Sequence, residues 1–267
     1  MKPALLVLAA AFASLPAGAV ANKSGKPTVE VMLNKLSAEK YHIGTLTPAV
    51  VVTRGRALMI EDEKNFYQIA WGGVHPAPGL HGLTAFDYLP NGEFAGIRGK
   101  ELLQLQKDGS LKSIMSLPSE GMGIAQGKGK TYLFEREGGE KNALFVFLPN
   151  NKGLKLFESP APINAVLEDG DGILFAVGTG IYRFGADKTT KLVFGLPKGS
   201  RDITALAQDP VTKRVYASDG SSVFSFKDKD VIVITRDNGG VLRWFGDGLI
   251  ILDPKAPLLI RIRGLPS

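Results

Sequence analysis

Cysteine is missing from all 267 residues, which excludes disulfides, thiolate metal sites and a lipid-attachment cysteine. Histidine is nearly missing too, with copies only at His42, His75 and His81. The last two are separated through Pro76 and Gly79, a path that fixes no common face for a metal pair. No stretch reaches eighteen consecutive apolar residues, so no segment of the mature chain reads as membrane-spanning. Nor is basic charge gathered in blocks. The 32 Lys and Arg alternate with 26 Asp and Glu to leave a net charge of +6, which argues against a nucleic-acid partner. What is plentiful is glycine, at 32, and proline, at 16, set between β-branched and aromatic runs, a pattern of many short strands rather than long helices.

The N-terminus reads as a signal peptide over residues 1–21. Lys2 is a minimal basic region, Ala4 to Ala13 is an apolar stretch too short to cross a bilayer, and Ala19-Val20-Ala21 supplies the small residues of a cleavage site. The polar Asn22-Lys23-Ser24-Gly25-Lys26-Pro27 follows. The expectation is a single mature domain over 22–267 that is periplasmic or secreted, exported by the general secretory route because no twin-arginine pair is present.

Four alanines repeat at a spacing of forty, Ala85, Ala125, Ala165 and Ala205, each inside an apolar run. The flanks match as well. Val166-Leu167-Glu168-Asp169, Leu174-Phe175-Ala176 and Ile181-Tyr182-Arg183-Phe184 are answered by Leu206-Ala207-Gln208-Asp209, Val215-Tyr216-Ala217 and Val223-Phe224-Ser225-Phe226. Each unit reads as a four-stranded antiparallel meander; in the unit from Ala161 the strands are expected near 163–168, 173–177, 180–184 and 189–195. Asp169-Gly170-Asp171-Gly172 and Gly178-Thr179-Gly180 form its turns, because tight hairpins need positive φ or side-chain bonds to the backbone. Asp169 does not open a calcium loop, since the twelfth position holds Gly180 instead of Glu. Four-stranded units that cannot cover both faces alone stack radially, and the small alanine suits the crowded innermost strand of a β-propeller.

Units begin near residues 48, 79, 119, 161 and 201, and the C-terminal unit supplies only three strands, around Leu242-Arg243-Trp244-Phe245, Leu249-Ile250-Ile251-Leu252 and Leu258 to Ile262. Thr28 to Leu33 is an orphan strand. Docked on the last unit it completes a sixth blade and removes an exposed edge. The expected fold is therefore all-β, a six-bladed β-propeller whose last blade is closed by the N-terminal strand. Five blades remain the alternative if 37–78 is irregular. No Gly-His…Trp-Asp pair marks a WD40 blade, and Thr235-Arg236-Asp237-Asn238-Gly239 begins like an Asp-box but does not recur.

On repeat length and hydrophobic pattern, the chain resembles six-bladed propellers of the NHL and SMP-30/gluconolactonase-like kind over its whole mature length. For the enzymes among them, the resemblance implies a divalent cation such as calcium, held by a Glu, two Asn and an Asp from separate blades. Asn164 and Asp202 stand at such positions, whereas the matching places in other blades hold Gly82, Met122 and Leu242.

In a propeller the loops leading into the innermost strands share a face with the loops joining second and third strands. That face here is charged with both signs, and His81, Arg98, Glu135, Arg201, Asp202 and Asp219 are its candidate binding residues. No Gly-x-Ser-x-Gly elbow occurs. The sequence thus leads to a non-enzymatic exported propeller, without a cofactor, that binds a protein, peptide or envelope component. The alternative is a metal-dependent lactonase-type hydrolase using Asn164 and Asp202.

Overall fold

The computed structural model describes residues 27–265 except 53–56, 71–72, 78–81, 136–141, 171 and 228–229. The segment expected to be a signal peptide, residues 1–21, and His81 lie outside the described residues. Strand β1 (Thr28–Leu33) comes first, followed by the six-residue helix α1 (Lys35–Lys40). Asn34 caps this helix by accepting the Ser37 N–H while the Ser37 hydroxyl accepts the Asn34 N–H. Among the described residues, no helix is long and apolar enough to cross a membrane.

Six four-stranded antiparallel sheets follow. Blade 1 holds β2 (Val51–Val52), β3 (Leu58–Glu61), β4 (Phe66–Ala70) and β5 (Gly73–Ala77). Blade 2 holds β6 (Ala85–Tyr88), β7 (Phe94–Arg98), β8 (Glu101–Leu105) and β9 (Leu111–Ser116). Blade 3 is built from β10 (Met122–Gln126), β11 (Thr131–Glu135), β12 (Asn142–Leu148) and β13 (Lys152–Ser159). Blade 4 has β14 (Ala165–Asp169), β15 (Gly172–Val177), β16 (Gly180–Phe184) and β17 (Thr190–Gly195), each within about two residues of its expected bounds. Blade 5 has β18 (Ala205–Gln208), β19 (Val215–Ser218), β20 (Val223–Lys227) and β21 (Asp230–Thr235). Blade 6 joins β22 (Val241–Phe245), β23 (Gly248–Asp253) and β24 (Leu258–Arg263) to β1, in the order β1-β24-β23-β22. The six-bladed propeller closed by its N-terminal strand is thus the fold, and segment 37–78 is regular enough to supply a full first blade. His75 and Pro76 sit in its outermost strand, where a missing N–H breaks no inner ladder.

Aromatic contacts join the blades. Phe66 of blade 1 lies 5.1 Å from Phe86 of blade 2, Phe157 of blade 3 lies 4.7 Å from Phe175 of blade 4, Phe194 stacks on Phe226 at 4.9 Å, and Tyr216 stacks on Trp244 at 5.6 Å. The closing interface is aliphatic: Leu33, Ala38 and Ile43 of the N-terminal segment pack with Leu58 and Ile60 of blade 1 and with Ile250 and Leu259 of blade 6. Gly239 and Gly240 lead into blade 6 where backbones nearly touch. A Cβ on Gly240 would lie 2.0 Å from the Leu252 carbonyl oxygen, and one on Gly239 would lie 2.4 Å from the Ser221 nitrogen. The Asp-box-like run is thereby explained as a close approach between blades.

All four repeating alanines are buried and line the axis. Ala85, Ala165 and Ala205 open their strands, whereas Ala125 is the fourth residue of β10, because β11 extends to Glu135 and pairs back as far as Met122. Ala165 packs with Leu174, Ala176, Leu206 and Ala217. Ala165→Leu is expected to lower stability by about 1–3 kcal/mol through overpacking, measured by denaturant unfolding. An unchanged midpoint would mean that the axis has room for three more carbons.

Candidate functional site

The starts of the innermost strands and the residues just before them, with Phe134 of β11, wall an axial depression whose space of about 590 Å³ includes open solvent. Blades 2, 4 and 5 contribute the first two residues of their strands, Ala85 and Phe86, Ala165 and Val166, Ala205 and Leu206. Asn164 and Thr204, just before two of those strands, supply polar groups. The Thr204 hydroxyl donates to the Ser218 carbonyl at 3.3 Å, so toward a ligand its oxygen could act only as an acceptor. The Asn164 backbone N–H bonds the Ala176 carbonyl at 2.9 Å.

Below this level an ion pair crosses between blades. The Arg243 guanidinium donates through Nε to the Val50 carbonyl at 2.8 Å and through Nη2 to the buried Asp87 carboxylate. Asp87 also accepts the Gln126 N–H at 3.0 Å, so this contact ties blade 6 to blades 1, 2 and 3. Neither Arg243 nor Asp87 stands out in the sequence as a site residue. The available signal was positional: the third residue of the innermost strand is Leu167 in blade 4 and Ala207 in blade 5, and a charge there departs from the repeat.

Around the mouth, carboxylates serve as staples between loops. Glu61, at the end of β3 and without solvent exposure, accepts the Leu83 N–H at 3.0 Å and the Thr47 hydroxyl at 3.2 Å, linking blade 1 to the loop that enters blade 2. Burial pushes its carboxyl up to about 7, against the opposing pull of these donors and of the Arg98 charge. For the neighbouring Asp62 burial also raises, but donors outweigh it: the N–H groups of Gly44, Lys64 and Asn65 and the Tyr67 hydroxyl hold it below the usual carboxylate range. Glu135, at the end of β11, is buried and accepts the Ala143 N–H at 2.9 Å and the Ser119 hydroxyl at 3.2 Å.

Of the six candidate binding residues, then, Glu135 faces inward onto its own blade and offers a partner no surface. Asp219 accepts the N–H groups of Ser221 and Ser222 and shapes its own loop. Arg98, Arg201 and Asp202 are exposed at the loop face, and His81 lies outside the described residues. Asn164 lines the cavity but Asp202 does not. Among the described residues, no three of His, Cys, Asp and Glu come together in a metal-holding group. The cavity wall contains no carboxylate and carries a guanidinium. One amide with one exposed carboxylate is too few oxygen donors for a hard divalent cation, so the residues present do not fit that ion.

No protein-family model matches the chain, and no curated protein matches it. Solved structures do. A gluconolactonase of Xanthomonas campestris is similar at TM-score 0.71 and 11% identity, over 90% of this chain and 90% of that one. A luciferin-regenerating enzyme is similar at TM-score 0.67 and 13% identity, over 90% and 96%. Virginiamycin B lyase from Staphylococcus aureus is similar at TM-score 0.64 and 10% identity, over 89% and 99%. The chain, itself six-bladed, therefore shares a fold with gluconolactonase, luciferin-regenerating and lyase proteins over about nine-tenths of its length.

Proposed function

We propose that the protein is an exported propeller that takes a small polar molecule into its axial channel and acts there as a hydrolase of the lactonase kind. The observation that carries this reading is the cavity itself. It is walled by all six blades, mostly apolar, and furnished with few polar groups, which is the make-up of a small-molecule site. The names of the similar propellers, a gluconolactonase first among them, support the lactone as substrate class. The Asn164 amide would donate to the lactone carbonyl oxygen while Thr204 accepts from a ring hydroxyl. No step is routed through a metal, since the donor set does not fit one. With mature protein beginning at Asn22, aldonolactones are expected to release acid in a pH-stat faster than the uncatalysed rate. Asn164→Ala should slow this by about a hundredfold if the amide stabilises developing charge on oxygen, with an unchanged melting temperature. Absence of any acid release would remove the hydrolase reading.

A second reading, a non-enzymatic module that presents its loop face to a protein, peptide or envelope component, is favoured by the use of the mouth carboxylates. Glu61, Asp62 and Glu135 accept hydrogen bonds that hold loops, which leaves the exposed Arg98, Arg201 and Asp202 as contact groups. In that case lactones are inert, and substitution of those three abolishes partner capture without loss of folding.

A further inference from the structure

We infer that the ligand of the axial channel carries a carboxylate and that Arg243 reads it. This rests on the small-molecule reading above and adds the charge of the molecule. Blades 2, 4 and 5 wall the cavity with no residue deeper than the second of their innermost strands, but β22 contributes its third, Arg243. Its guanidinium meets Asp87, the third residue of β6 and outside the lining, which sets it toward the deep end. Two of its nitrogens are already fixed, Nε on the Val50 carbonyl and Nη2 on Asp87. Asp87 is itself held by the Gln126 and Tyr88 N–H groups. The side chain is thus locked in place before any ligand arrives, so little rotamer freedom is lost on binding.

Nη1, with two N–H groups, has no protein partner among the described residues. The side chain retains 29% exposure and forms part of the cavity lining. A fixed guanidinium edge in a half-enclosed, mainly apolar space is a directional receptor for a planar oxyanion. Nothing on the wall competes for it, because the lining has no Asp or Glu; Asp87 lies outside the lining. The Asn164 amide, nearer the mouth on blade 4, adds a neutral donor to the lining. A lactone opens to a hydroxy acid, so within the hydrolase reading Arg243 holds the product.

Calorimetric titration with D-gluconate and D-glucitol, which differ only in carboxylate against hydroxymethyl, tests this. Wild-type protein is expected to bind gluconate about tenfold more tightly than glucitol, as one charge-assisted bond allows, and raising the salt concentration should erode only the gluconate affinity. In Arg243→Lys, which keeps a cation for Asp87 but shortens the reach, the preference should fall toward unity while glucitol affinity holds. The neutral pair Arg243→Met with Asp87→Asn, which leaves no buried charge unpaired, should behave alike, with circular dichroism reporting its folding. Equal binding of the two compounds by wild type, or a preference that survives in both variants, overturns the role of Arg243 and leaves the small-molecule reading intact. Failure of both compounds to bind at millimolar concentration overturns both.

Discussion

A chain lacking Thr28 to Leu36 is expected to aggregate, or to melt far below the intact protein. Strand β1 pairs with β24 from Thr28 opposite Arg263 to Leu33 opposite Leu259, so its removal bares a full strand edge in a sheet that otherwise has three strands. It also removes Leu33, which is 1% exposed and sits where blade 6 meets blade 1. The ion pair from Glu30 to Arg263, at 3.0 Å, is half exposed and adds little. The size of the effect can be bounded by a milder change. Leu33→Ala alone should destabilise by about 2–5 kcal/mol through lost burial and the cavity left behind, measured by denaturant unfolding. Size-exclusion chromatography and a thermal melt of the deletion decide the matter. A monomer with an unchanged midpoint would mean that the ring closes without its strap.

That this strap could be anticipated follows from the arithmetic of the repeat. Three strands in the last unit and one unpaired strand at the N-terminus leave few other ways to finish a ring whose blades each have four. Blade 4 was equally legible, because Gly and Asp mark its turns and the apolar runs between them have strand length. Blade 3 was less so. Its alanine keeps the forty-residue spacing, yet β10 starts three residues ahead of it, since nothing in the run from Gly121 to Ile124 signals that β11 continues far enough to pair with Met122.

The site was harder to read than the fold. A repeat aligns what blades have in common, and the ion pair beside the cavity is made from two departures, Arg243 in the lining and Asp87 behind it, that meet across 156 positions of sequence. No local pattern couples them. Among the candidate residues, Glu135 misled for a different reason, and Glu61 shows the same ambiguity. Glu61 and Glu135 end their strands beside charged loops, and a carboxylate in such a run has the same neighbours in sequence whether it faces water or a backbone N–H. Only the path of the next blade's leading loop, which brings the Leu83 N–H to Glu61, distinguishes the two.

Glu61 should make the stability of the whole molecule fall as pH rises from about 5 toward neutrality. Its carboxyl titrates near 7 in the folded chain against an ordinary value of 4.5, because burial disfavours the anion more than its donors favour it. The native state therefore binds the proton more tightly than the unfolded state does. The resulting stabilisation is complete below the unfolded value, declines between the two, and is gone above the folded one. A displacement of that size corresponds to about 3 kcal/mol, or a melting temperature lower by about 6–12 °C for a chain of this length. Asp62 works in the opposite direction, since its depressed value adds stability that is lost only in more acidic solution. Above about pH 5 the Glu61 effect should stand apart. Glu61→Gln keeps an acceptor for the Leu83 N–H and has no charge to bury, so its melting temperature should stay flat from pH 5 to 8 while that of the wild type declines toward or below it. Parallel curves would show that Glu61 is ionised throughout and that the bonds from Leu83 and Thr47 outweigh burial.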